Sequence, residues 1–236
     1  MARLPRLAVP GQPHHLIQRG LNRQAIVTDD HDRQRLLDEL RECAATHKVA
    51  IHAYVLMDNH LHLLATPETA EGLSRMMQSL GRRYVAAFNK RHSRSGTLWD
   101  GRFRAAPIEA GAYLLACMRY VELNPLRSQL AAQPGEYRWS SAAHHLGQRR
   151  DPLVFDHALF WATGNTPFER ELGWKAWLEQ GCSAAEWRVL TEAAQKGWPL
   201  GSAGFLLGLA QDTERPLQPR KRGRPAGRKT DSSRGA

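Results

Sequence analysis

The chain has 236 residues, 42% of them hydrophobic and 8% aromatic, with 33 Lys and Arg against 23 Asp and Glu. That composition supports one sizeable core with an appendage and excludes full disorder and a collagenous repeat. Three cysteines without CxxC spacing (Cys43, Cys117, Cys182) argue against a disulfide framework or zinc ribbon. No apolar run reaches the roughly 18 to 20 residues of a membrane span, and the first residues lack the apolar core of a secretory signal. The expectation is a soluble, cytoplasmic protein with no membrane partner.

Formal net charge is +10, which points to a polyanionic partner, but it is unevenly spread. Residues 1–130 hold 18 basic and 12 acidic residues, 131–214 hold 7 and 10, and 215–236 hold 8 and 1. Three regions follow: a catalytic or binding unit over 1–145, a helical accessory unit over 146–214, and a disordered basic tail over 215–236.

In chain order, HHLIQRG at 14–20 reads as a strand and Asp29 to His47 as an amphipathic helix. VAIHAYVLM at 49–57 and HLHLLAT at 60–66 flank only Asp58 and Asn59, a β-hairpin pattern. A second helix is expected from Thr69 to His92, a short strand over 103–110, and a third helix over 111–124 that Pro125 should stop. Strand, helix, hairpin, helix, strand, helix predicts an α+β fold, a ferredoxin-like antiparallel sheet with helices on one face. Beyond it, 167–180, 184–196 (opened by the capping box Ser183 to Glu186) and 202–209 read as helices.

Two constellations carry chemistry. Strand alternation puts His60 and His62 on one face while Leu61 and Leu63 enter the core, so two imidazoles can serve one divalent metal if a third ligand is supplied. On the third helix Tyr113, Cys117, Tyr120 and Asn124 form one stripe, with Leu114, Met118 and Val121 as the packing face and Arg119 and Glu122 pointing away. Tyr113 lies two turns from Tyr120 and reads as a packing or stacking residue. The pairs His14-His15 and His144-His145 have no partner at ligand spacing and read as surface or core histidines.

The segment Asn59-His60-Leu61-His62, followed by Arg119-Tyr120-Val121-Glu122-Leu123-Asn124-Pro125-Leu126-Arg127, resembles the single-tyrosine HUH transposases of bacterial insertion sequences. It is most similar to their branch associated with repetitive extragenic palindromes. The resemblance implies an HUH endonuclease fold, His60 and His62 as metal ligands, Tyr120 as nucleophile and Asn124 as third ligand, in a position where Gln is frequent. It also implies Mg2+ or Mn2+, single-stranded or hairpin DNA as substrate, a 5′-phosphotyrosine intermediate, and a homodimer or sequential use of one site. A DNA-binding protein that has lost cleavage and a rolling-circle-type replication initiator are the alternatives.

For DNA contact the candidates are Arg82, Arg83, Lys90, Arg91, Arg94, Arg102 and Arg104, with Trp99, Phe103 or Tyr84 for base stacking. In the tail, Arg222-Gly223-Arg224-Pro225 is similar to an AT-hook core, so Arg222 and Arg224 are candidates for duplex contact.

Overall fold

A computed structural model describes residues 6–218. The tail segment with Arg222 and Arg224 therefore lies outside the described residues. Four strands, β1 (His14–Arg19), β2 (Val49–Met57), β3 (His60–Pro67) and β4 (Arg104–Pro107), pair antiparallel in the order β2-β3-β1-β4. Among the described residues the helices are α1 (Asp30–Thr46), α2 (Gly72–Arg91), α3 (Ala110–Glu122), α4 (Asn124–Arg127), α5 (Ala142–His145), α6 (Ala158–Trp161), α7 (Pro167–Gln180), α8 (Ala184–Lys196) and α9 (Ala203–Gln211). No helix among them is long and apolar enough to cross a membrane.

The β2–β3 hairpin forms as its sequence predicts, with Met57 opposite His60 across Asp58 and Asn59. Alternation along β3 then sorts its side chains. Leu61 and Leu63 join Leu16, Ile51 and Leu56 under α1 (Leu36, Leu40, Cys43) and α2 (Leu73, Met76, Leu80, Tyr84, Phe88). Leu64, with Ala53, Val55 and Met57, packs on the other side against Leu114, Cys117, Met118 and Val121 of α3. Each of these aliphatic side chains contributes about 1.5–3 kcal/mol by leaving water.

The antiparallel α+β sheet is the expected one, but its covering is not one-sided. α1 and α2 cover one face; α3 covers the other, and α6, α7 and α8 close over α3 through Phe160, Trp174, Leu178 and Leu190. The physical reason is that α3 is apolar nearly all round, so one sheet face cannot bury it. β4 would be an open sheet edge, yet residues 198–201 run beside it: Leu200 N–H donates to Pro107 O and Glu109 N–H to Leu200 O. Gly197, at φ 68°, makes that turn possible as the left-handed cap of α8.

Pro125 does not end the helical path. α3 stops at Glu122, Leu123 stays in the right-handed region, and a further turn starts at Asn124 with Pro125 at its beginning, where a missing N–H costs nothing.

Candidate active site

His60 and His62 stand on the α3 side of β3, their ring centroids 4.9 Å apart. Asn59 fixes the first of them. Its amide nitrogen donates to Arg23 O at 3.2 Å, so its Oδ1 is the atom facing His60 Nδ1, at 2.6 Å. His60 therefore carries its proton on Nδ1 and keeps Nε2 as a lone pair. His62 Nδ1 lies 2.9 Å from Nε2 of His15, a residue of β1. Burial, then the neighbouring Arg19 charge, lowers the His60 pKa to about 4. Burial, then the His15 and His60 charges, pushes His62 well below 6.5. Both imidazoles are neutral at pH 7, the form in which they can ligate a metal.

Tyr120 reaches the same place from α3. Its ring centroid is 5.9 Å from that of His62 and 5.4 Å from that of His15. Only 3% of the residue is exposed. Trp187 of α8 lies over the ring at 4.4 Å, and the hydroxyl shares a 3.1 Å hydrogen bond with Thr191 Oγ1. Burial raises the phenol pKa above its usual 10, with the Thr191 hydrogen bond acting the other way. Asn124 sits one turn on and is buried; its amide nitrogen donates to Tyr120 O (2.8 Å) and Val121 O (3.3 Å). That leaves Oδ1 as the atom that could serve a cation.

The donor chemistry, two neutral imidazole nitrogens and an amide oxygen with no thiolate, suits a divalent cation. Among the described residues, two other groups of side chains within ligand reach are spoken for. His144 Nδ1 accepts from Asp151 N–H, so Nε2 donates to Asp156, an arrangement of ion pairing. Asp29 and Asp32, beside His31, pair with Arg91.

Arg119 and Glu122, expected to point away from the Tyr120 stripe, are buried against other helices. Arg119 bonds Glu186 and lies under Trp177, while Glu122 accepts from Ser141 Oγ, Trp174 Nε1 and His145 Nδ1. His14 and His15 are both buried; His14 closes the β1 entry turn through Val9 N–H and Gln12 O. Tyr84 and Phe103 are core, not stacking surface, and Tyr84 donates to Ile26 O.

The basic candidates divide. Arg82, Arg83, Lys90 and Arg91 belong to α2, across the sheet from Tyr120, and Arg83 and Arg91 are held by Glu39, Glu42, Asp29 and Asp32. Arg94 reaches Gln24, and Arg104 donates to Gln195 O. Arg102 is exposed on the 98–103 segment, which meets β1 beside the His60 end through Trp99 and Gly20. Two cations outside the linear cluster stand at the site: Arg19 is opposite His60 across the sheet, and Arg127 caps Trp187 at 4.5 Å; the backbone carbonyl of Arg23 accepts from Asn59.

Residues 9–124, which contain His60, His62 and Tyr120, match the model of the IS200-like transposase family. The chain belongs to that family. Among solved structures it is similar to a REP-associated tyrosine transposase bound to a REP hairpin, at 16% identity and a TM-score of 0.54, covering 67% of this chain and 93% of the other. That likeness speaks for the fold. A protein of Deinococcus radiodurans R1 assigned as a transposase overlaps more loosely: 21% identity, 55% of this chain, 92% of the other, TM-score 0.36. No curated protein matches the chain significantly in sequence.

Proposed function

We propose that this transposase cleaves and rejoins single-stranded DNA beside palindromic hairpins, as a metal-dependent HUH endonuclease of the REP-associated branch. The observation that carries the reading is the meeting of Tyr120 with the His60 and His62 pair, 5.9 Å between the Tyr120 and His62 rings, on two elements 58 residues apart in sequence. His60 Nε2, His62 Nε2 and Asn124 Oδ1 would hold the Mg2+ or Mn2+. When bound, that ion supplies charge neutralisation at a nonbridging phosphate oxygen, which offsets the poor acidity of a buried phenol.

Tyr120 Oη attacks phosphorus in line with the 3′ oxygen. The Oη–P bond forms as the P–O3′ bond breaks; the phenolic proton passes to solvent water and the departing 3′ oxygen takes up one from solvent, so no net proton is consumed. The products are a 5′-phosphotyrosine and a free 3′-OH. Phosphodiester energy is kept in the covalent link, so another 3′-OH reverses the step and joins a new strand without ATP. Trp187 and Thr191 stand over Tyr120, so a phosphodiester reaches the hydroxyl only when α8 gives way.

In this reading residues 1–145 form the catalytic unit, 146–214 an accessory helical unit and 215–236 a basic tail with Arg222 and Arg224 on duplex DNA. Arg82, Arg83, Lys90, Arg91, Arg94, Arg102 and Arg104 contact the backbone outside the cleavage site. One nucleophile per chain and two cleavages per excision make a homodimer the working assembly, acting in the cytoplasm. The test is incubation of the full chain with labelled hairpin DNA and Mn2+. A covalent adduct is expected in wild type and none in Tyr120→Phe; no wild-type adduct, or one that survives Tyr120→Phe, overturns the proposal. An adduct-free wild type that still binds the hairpin would identify a DNA-binding protein without cleavage.

A further inference from the structure

His15 has no counterpart in the two-histidine motif, yet it is the side chain that His62 touches. We infer that His15 is a positioning residue: its Nε2 accepts the Nδ1–H of His62 and so directs the His62 Nε2 lone pair to the metal. The inference rests on the metal-site reading above.

β1 and β3 pair with Ile17 opposite His62 and His15 opposite Leu64, which sets His15 diagonally beside His62 on the α3 face. The two nitrogens are 2.9 Å apart and the ring centroids 5.1 Å, with the edge of Tyr120 against His15 at 5.4 Å. An imidazole that gives Nε2 to a cation carries its proton on Nδ1 and needs an acceptor there. For His60 that acceptor is Asn59 Oδ1. For His62 the atom in that place is His15 Nε2, which accepts only while His15 is neutral with its proton on Nδ1.

One feature supports this assignment over plain core packing. Among the described residues His15 Nδ1 is buried and has no hydrogen-bond partner, an unfavourable state that an aliphatic side chain at the same place would avoid. Asn59 and His15 thus do one job from two strands, giving both imidazoles the same tautomer.

The experiment titrates the full-length, metal-free protein with Mn2+, following free Mn2+ by EPR, for wild type, His15→Leu and His15→Gln. Loss of the acceptor in His15→Leu should weaken Mn2+ binding about 10- to 100-fold, the usual range for an outer-shell partner. His15→Gln, whose Oε1 can accept the same proton, should recover most of it. In the Mg2+-loaded wild type, long-range 15N–1H spectra should show His62 and His15 both protonated at Nδ1. His62 protonated at Nε2, or a Leu variant with wild-type affinity, overturns the inference alone. A wild type that binds no Mn2+ overturns it together with the metal-site reading. Should the Leu variant not fold, the Gln variant and the wild-type spectra decide.

Discussion

Glu122 lies two residues beyond Tyr120 and ties α3 to the helices outside the sheet. Its carboxylate accepts from Ser141 Oγ at 2.6 Å, from Trp174 Nε1 at 2.9 Å and from His145 Nδ1 at 2.5 Å, with both Glu122 and His145 1% exposed. His145 Nε2 faces Asp156 at 3.5 Å. Desolvation alone would lower the His145 pKa, but the charges of Glu122 and Asp156 and their hydrogen bonds outweigh it and raise the value from 6.5 to about 9. Each tenfold change in proton affinity is 1.36 kcal/mol, so the protonated pair contributes on the order of 3 kcal/mol. The folded pKa is the higher one, so this stability is complete below about pH 6.5 and is lost as pH rises through about 9. Histidines whose pKa burial lowers, such as His14, His52 and His60, act on the acid side of that window and do not confuse it. Urea unfolding midpoints at pH 6.5 and 9 should therefore converge between wild type and Glu122→Gln, with the variant less stable by roughly 3–5 kcal/mol at the lower pH, as for a buried pair that loses one partner. Equal pH dependence in the two proteins would refute the ion-pair account.

Binding of hairpin DNA should be strongly salt dependent. Arg19, Arg23, Arg102 and Arg127 are at least partly exposed around the proposed site; four single-strand phosphate contacts give a slope near −0.7 per contact, an affinity loss of about 50-fold between 50 and 200 mM salt. A flat titration would exclude backbone contact there. Deletion of 219–236 removes seven basic residues and one acidic one, and should weaken binding to A/T-rich duplex while sparing adduct formation at saturating oligonucleotide. The cut belongs at 219 and not 215, because Arg215 donates to Gly197 O and lies over Trp198, part of the cover on β4.

What the sequence made legible, and what it did not, follows from the range over which each signal acts. The hairpin and the shared face of His60 and His62 depend on alternation within one strand and a two-residue turn, both local, and both could be read. So could the ends of α8, where Ser183 and Glu186 satisfy each other's backbone donors within four residues. The Glu122 site is different. A glutamate on a helix facing away from the sheet reads as solvated, and nothing near it announces that Trp174, 52 residues on, and His145, 23 residues on, will enclose it. The surplus of tryptophan in 146–214 was the available signal, since rings of that size must cover something. His15 was missed for the same reason in another form: its neighbour in sequence, His14, serves a turn, while the strand register that sets it against His62 joins residues 47 apart. Linear charge density says least about position. Residues 75–104 are dense in cations, but helix α2 presents them behind the sheet and acids of α1 hold two of them. A patch that binds a polyanion is a property of a surface, and Arg19 beside His60 and Arg127 over Trp187, more than a hundred residues apart, come to the Tyr120 site without a linear signal.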